Sequence, residues 1–334
     1  MIKDKLEIIL ITYNRKYFLE RTLKQLFAEN SPIKDFPITI LDNKSTDGSS
    51  ELIEEYRAKF PNIKHIIHNR NIGGNANIAR TFEIASKEYL WVICDDDIYH
   101  WENWTEVENA INNDYDAVVV ALHNITDRNN ISDIIFQLTF LPGGIYKTST
   151  INENVIRNIY DNISNIFPHI PVAINIANKN GRFYLLNKPL VENGWEIAAK
   201  INDKAADVSY LRGNDTSELF PVTQNLCWYI GYVNSLTLLN KKNAVMDGIK
   251  SALTYPPLGT NIYQVVEYIV NQSLKNKKSI NLFYDFFCRV DFKTKLIMLY
   301  YRYCPIFYRT PKGVHVKLFN KLKIRILPYM FCKN

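Results

Sequence analysis

Asp95, Asp96 and Asp97 stand side by side directly after the apolar run Tyr-Leu-Trp-Val-Ile-Cys, residues 89–94. Adjacent carboxylates repel one another, and such a cluster is tolerated chiefly where a cation neutralises it. Hard oxygen ligands suit Mg2+ or Mn2+, which typically takes one or two carboxylates and completes its shell with substrate phosphates. Two more polar clusters follow apolar runs: Thr12-Tyr13-Asn14-Arg15 and Asp42-Asn43-Lys44-Ser45. One Asp after a strand is ordinary turn chemistry. Three clusters at strand ends point to a ligand site, because parallel α/β sheets bind ligands outside the carboxyl ends of their strands.

The elements that would position these clusters alternate along the first 125 residues. LEIILIT (6–12), 38–42, 63–67, 89–94 and 116–122 have the apolar character of buried strands. Between them, helical periodicity runs from a cap at Asn14 to about Phe27, from the Ser-Thr-Asp-Gly-Ser-Ser turn onward, over 76–86 and over 104–111. Strand–helix repetition of this kind predicts a mainly parallel sheet with helices on both faces. Beyond it come a Pro-Gly-Gly turn at 142–144, a helix over 152–163, a second helical stretch and a strand over 181–186. The expected organisation is an α/β domain over 1–200, a helical extension over 201–275 and a basic aromatic tail over 276–334.

Composition narrows the class. With 334 residues, 47% of them apolar and only 12 Gly and 13 Pro, the chain is neither disordered nor collagenous. No apolar run approaches the roughly 20 residues that span a bilayer, and the amino terminus lacks a signal-peptide cleavage site, so a cytosolic protein is expected. Five cysteines, Cys94, Cys227, Cys288, Cys304 and Cys332, are odd in number and form no CxxC pair. Reduced thiols follow, rather than a disulfide framework or a structural zinc site. The net charge of +6 hides an asymmetry: residues 292–334 carry ten Lys/Arg and no Asp or Glu, which leaves the rest at about −4. The acidic body disfavours nucleic acid, whereas the basic, aromatic tail suits an anionic membrane surface. The alternative for the tail is a helical cap on the catalytic domain or an oligomer contact.

Four pieces in order, ILITYNR, LDNKSTDGSS, NIGGNANIAR and CDDDIY, resemble the family 2 glycosyltransferases of the GT-A fold. The resemblance covers Lys5 to Ile111 and continues to about Asn193, and its last piece is similar to the DDD variant of bacterial surface-polysaccharide glycosyltransferases. It implies an α/β fold, a GT-A three-layer α/β/α domain with a mainly parallel sheet and a helical C-terminal extension. It also implies residue roles. Thr12, Tyr13, Asn14 and Arg15 would cradle base and ribose, Tyr13 stacking on the uracil, and Asp42 would hydrogen-bond the base. Gly73 and Gly74 would let backbone approach the nucleotide, Arg80 would reach the donor, and Asp95 would sit near ribose or sugar. The metal ligand is Asp97 if the triplet reads as DxD. It is Asp96 if the segment is aligned on Ile98, with Cys94 at the usual first Asp.

Inverting transfer needs a general base for the acceptor hydroxyl. The resemblance places an acidic pair a dozen residues before a strand-opening Gly; counting back from Gly181 reaches His169 instead, and no acidic pair occurs there. A histidine accepts a proton at neutral pH; Asp161 and Glu192 are the alternatives. The expected activity is transfer of a hexosyl or N-acetylhexosaminyl unit from a nucleotide-diphosphate donor, a UDP-sugar, to a hydroxyl of a growing lipid-linked surface glycan. The enzyme would sit on the inner face of the cell membrane, its oligomeric state left open. Two rivals are a nucleotidyltransferase, whose Gly-rich basic signature TYNRKYF lacks, and a non-catalytic nucleotide- or glycan-binding module.

Overall fold

The structure is a computed structural model. It describes residues 2–194 apart from 123, 124, 126, 164 and 165; residues 231, 232, 235, 236 and 238–240; residues 292, 295, 296, 299 and 300; and three strands between 306 and 328. The chain forms two compact units, Met1–Ser217 with Leu238–Lys241, and Glu218–Thr237 with Lys242–Asn334.

In the first unit a short helix α1 (Ile2–Lys5) leads into β1 (Leu6–Thr12), then α2 (Lys16–Leu26), β2 (Ile38–Asp42), α3 (Ser49–Lys59), β3 (Ile63–Ile67), α4 (Gly74–Ile84) and β4 (Tyr89–Cys94). After the Asp triplet come β5 (Ile98–Tyr99), α5 (Trp104–Asn112), β6 (Ala117–Val119), α6 (Ile131–Gln137), β7 (Gly144–Lys147), α7 (Glu153–Asp161), α8 (Ile170–Asn178), β8 (Phe183–Leu185) and β9 (Val191–Glu192). Seven strands make one sheet in the order β3-β2-β1-β4-β7-β6-β8, and β5 pairs separately with β9. Pairing is parallel through β3, β2, β1 and β4. The central sheet is flanked by helices, as expected for the α/β fold. Leu6, Ile8, Ile9 and Leu10 of β1 and Tyr89, Leu90 and Trp91 of β4 are fully buried, which is why these strands read as unbroken apolar runs. The helix α2 turns Phe18, Leu19, Leu23 and Leu26 onto them.

The sheet also differs from the sequence reading. The strand β7 lies antiparallel between β4 and β6. Its four residues, Gly-Ile-Tyr-Lys, are too short to show a period, and their partners alone define them. The strands expected over 116–122 and 181–186 shorten to β6 and β8. Asn14 does not cap α2: its φ is 51°, the N-cap is Arg15, whose side chain makes no cap bond, and Lys16 N donates instead to Asp47 Oδ2 at 2.9 Å.

In the second unit, β10 (Ile306–Thr310), β11 (Gly313–Leu318) and β12 (Leu322–Pro328) form an antiparallel three-stranded sheet. The helical cap considered for the tail is therefore corrected over these residues. Val-His-Val-Lys-Leu and Leu-Lys-Ile-Arg-Ile alternate with the period of two that strands require. Residues 292, 295, 296, 299 and 300 are helical. The helical extension expected over 201–275 lies outside the described residues, except for helical residues 231, 232, 235 and 236 and the stretch 238–240. Among the described residues no helix is long and apolar enough to cross a membrane.

Candidate active site

The Asp triplet is held by its backbone. Three side chains of α2 reach its carbonyls: Arg21 Nη2 donates to Asp96 O at 2.7 Å, Thr22 Oγ1 to Asp95 O at 2.9 Å, and Gln25 Nε2 to Asp97 O at 2.9 Å. Gln25 Oε1 also accepts from Tyr99 N at 3.1 Å. Sequence reasoning missed these residues. Thr22 alone gave a signal, a hydroxyl among the apolar positions of the buried face, whereas Arg21 and Gln25 read as solvated helix positions.

With the backbone clamped, the carboxylates diverge in their partners. Asp95 accepts from Thr12 Oγ1 at 2.6 Å and from Arg15 Nη1 at 2.8 Å, and Asp96 from Arg15 Nη2 at 2.7 Å. Asp97 is 1% exposed and its Oδ2 has no hydrogen-bond partner among the described residues. Burial raises Asp95 to about 7, with Arg15 opposing, and raises Asp97 well above the usual carboxylate range, with Asp96 and Asp95 adding to it. Burial also pushes the free Cys94 thiol well up, with Asp97 adding to it. A site that disfavours its own negative charge is one that a cation would relieve.

Cys94 Sγ and one carboxylate oxygen each from Asp96 and Asp97 lie within 4.8 Å of one another. Two hard oxygens and an orphaned buried carboxylate atom fit a divalent cation such as Mg2+ or Mn2+. Cys94, where the resemblance expects an acid, supplies a softer and weaker third group.

The neighbouring strand ends are tied together. Asn14 Oδ1 accepts from Thr46 N at 2.7 Å and Asn14 N donates to Ser45 Oγ at 2.9 Å. Asn43 Nδ2 donates to Asn71 Oδ1 at 2.9 Å, while Asn43 Oδ1 accepts from Ile72 N. The loops after β1, β2 and β3 thus form one continuous edge beside the triplet. On it, Tyr13 is 40% exposed. Gly73 has φ 86°, a left-handed conformation open to Gly, and around both Gly73 and Gly74 there is open space where a side chain would project.

Other expected residues fall elsewhere. Asp42 is fully buried; its Oδ1 accepts from Ser45 N at 2.7 Å, and its Oδ2 accepts from Ser50 Oγ and faces His65 Nε2 at 3.8 Å. Burial alone would raise it, but His65, Ser50 and Ser45 outweigh that and hold it at about 2. Its oxygens shape the turn, so a contact to the base would have to share them. Arg80 pairs with Glu83 at 2.5 Å, and Glu83 also accepts from Tyr160. That is a surface cluster of α4 with α7, two helical turns from the glycines. Asp161 ends α7 exposed. Glu192 lies opposite Ile98 in the β5–β9 pair, its Oε2 3.2 Å from His100 Nε2.

His169 precedes α8 and is 2% exposed. Its Nε2 lies 2.9 Å from Leu138 O, which only accepts, so Nε2 carries the proton and Nδ1 the lone pair. Nδ1 has no hydrogen-bond partner among the described residues. Burial lowers the imidazole to about 4, the carbonyls of Leu138 and Thr139 opposing.

Residues 7–167 match the profile of Glycosyl transferase family 2. Those residues belong to that family. The chain is 26% identical over 172 residues to the poly(ribitol-phosphate) beta-glucosyltransferase of Bacillus spizizenii, covering 46% of this chain and 26% of that enzyme. It is 36% identical over 91 residues to abequosyltransferase RfbV of Salmonella typhimurium, covering 26% of each. A third relative is the GalNAc(5)-diNAcBac-PP-undecaprenol beta-1,3-glucosyltransferase of Campylobacter jejuni, 30% identical over 94 residues, covering 28% of this chain and 30% of that one. The matches thus span about a quarter of the length of the first two relatives. Among solved structures, S. aureus TarS 1-349 in complex with UDP superposes with a TM-score of 0.53 at 13% identity, over 94% of this chain and 96% of that one. At that identity the likeness is one of fold.

Proposed function

We propose that this chain is an inverting glycosyltransferase that moves a hexosyl or N-acetylhexosaminyl unit from a UDP-sugar to a hydroxyl of a growing, lipid-linked surface glycan. The observation that carries the reading is the convergence of Cys94, Asp96 and Asp97 at the strand-end edge, with a buried Asp97 oxygen left unpartnered. The UDP bound by the TarS structure and the undecaprenol-linked acceptor in the Campylobacter enzyme's name support donor and acceptor class.

In this mechanism Tyr13 presents its exposed ring to the uracil, and Gly73 and Gly74 admit the nucleotide close to backbone. Asp95, held by Thr12 and Arg15, faces ribose or sugar. Asp96 and Asp97 would hold a divalent cation, with Cys94 beside them; when bound, it supplies Lewis-acid stabilisation of the leaving diphosphate. His169 takes the acceptor proton at Nδ1, its tautomer set by Leu138. The acceptor oxygen bonds to the anomeric carbon on the face opposite the diphosphate, whose oxygen leaves with the bond electrons. Glu192, beside the triplet through β9, is the alternative base.

The basic segment 292–334 is proposed to hold the enzyme on an anionic membrane face. Phe292, Leu296, Leu299 and Tyr300 are 76%, 51%, 37% and 49% exposed, at the spacing of one helical face. Each Lys or Arg near an anionic leaflet contributes about 1 kcal/mol. Sedimentation with anionic and neutral vesicles tests this: binding to anionic vesicles at low salt, lost on truncation before Phe292, is expected, and indifference of the full chain rules it out. The donor is tested by thermal shift against a panel of nucleotide-sugars with and without Mn2+. A UDP-sugar should stabilise the protein more with Mn2+ than without; no shift with any member of the panel would remove the reading.

A further inference from the structure

Two demands meet on the carboxylate of Asp96. It is one of the three groups that converge within 4.8 Å as a cation site, and its Oδ2 is 2.7 Å from Arg15 Nη2. The same guanidinium reaches Asp95 Oδ1 at 2.8 Å through Nη1, so it bridges two neighbouring carboxylates with its single positive charge. It is held in that pose: the side chain is 13% exposed and lies 4.7 Å over the Phe18 ring. Asp97, by contrast, keeps a buried oxygen with no hydrogen-bond partner among the described residues. Arg15 therefore shields one half of the acidic cluster and not the other.

A guanidinium and a divalent cation on one carboxylate repel each other strongly, because the site is nearly dry. A diphosphate changes that balance. It brings negative charge to the same edge and matches the planar fork of an arginine as well as a carboxylate does. We propose that Arg15 couples metal binding to donor binding: the cation alone must compete with Arg15 for Asp96, and the donor's diphosphate draws the guanidinium away and frees that ligand. The site would then bind metal weakly until a nucleoside diphosphate arrives. This rests on the cation site proposed above for Asp96 and Asp97.

The test is calorimetric titration of Mn2+ into the full chain, with and without saturating UDP, for wild type, Arg15→Gln, Arg15→Lys and Asp96→Asn. Wild type should bind Mn2+ about ten-fold more tightly with UDP than without. Arg15→Gln should bind Mn2+ alone more tightly than wild type by a similar factor, with the effect of UDP reduced to what the diphosphate oxygens contribute as direct ligands. Arg15→Lys, which keeps the charge but cannot span both carboxylates, should move the same way by less, and it carries the test if the glutamine variant does not fold. A pure brace would behave otherwise: its loss would weaken Mn2+ binding and leave the effect of UDP intact. Variants that bind Mn2+ alone no tighter than wild type, or keep the wild-type response to UDP, overturn the proposal. Asp96→Asn separates this from the underlying site. If it retains wild-type Mn2+ binding, the metal assignment fails; if it loses binding while the Arg15 variants match wild type, only the coupling fails.

Discussion

Gln25 holds Asp97 through the main chain: its amide donates to the Asp97 carbonyl at 2.9 Å and accepts from Tyr99 N at 3.1 Å. One side chain on α2 thus sets where the last carboxylate of the triplet leaves the backbone and where β5 begins. Replacing it with Ala should cost about 1–2 kcal/mol of stability for two lost bonds. It should also weaken Mn2+ binding by about ten-fold or more, as loss of a ligand-orienting contact does. Chemical denaturation and metal titration measure the two effects. Unchanged metal affinity in a destabilised variant would reduce Gln25 to a structural contact.

The backbone next to Asp96 leaves no room on the β9 side. A methyl group built on Gly194 would come within 1.8 Å of Asp96 O and 2.7 Å of Arg21 Nη2. Gly194→Ala should therefore displace the Arg21 bond and the triplet, lowering both melting temperature and Mn2+ affinity, whereas Gly74→Ala, with open space at its Cβ, should keep the fold. Wild-type metal affinity in Gly194→Ala would contradict this packing.

His169 predicts a pH dependence with a definite sign. Its folded value, about 4, lies below the ordinary 6.5. Between those values the unfolded chain binds a proton that the folded chain refuses, so stability falls as pH drops from 6.5 to 4, by on the order of 3 kcal/mol for this group. Asp95 and Asp97, raised by burial, act in the opposite sense, so the comparison must be with His169→Gln, which keeps an N–H for Leu138. The stability difference between wild type and variant should shift steadily across that window. Turnover should fall about 10²-fold if Nδ1 is the base. A flat difference would mean that the imidazole titrates normally; an undiminished rate would move the base to Glu192 or Asp161.

The chain announced β1 and β4 because each is buried on both faces and reads as a near-continuous apolar run, whereas β3, Ile-Lys-His-Ile-Ile, buries only Ile63 and is marked by its β-branched ends. The polar clusters at their ends were equally legible: Thr12, Arg15, Asp95 and Asp96 do meet, at 2.6–2.8 Å. What could not be read was anything decided by a distant partner. The four residues of β7 become a strand only between β4 and β6. Arg21 and Gln25 resemble solvated helix positions until the triplet is laid against them. Nor could it be read that the buried Asp42 carboxylate faces His65, a distant partner on β3. In the tail, basic charge drew attention away from the two-residue alternation that forms β11 and β12.

The central claim is that Asp96 and Asp97 serve a metal-dependent transfer from a UDP-sugar. It is tested most directly by measuring UDP release from a panel of UDP-sugars with membrane lipid extract as acceptor source, for wild type, Asp96→Asn and Asp97→Asn. Wild type should release UDP from at least one donor with Mg2+ or Mn2+ present and stop when a chelator is added in excess, and both variants, still folded by thermal melting, should lose that activity. UDP release that persists in chelator, or at the wild-type rate in both variants, would contradict the account.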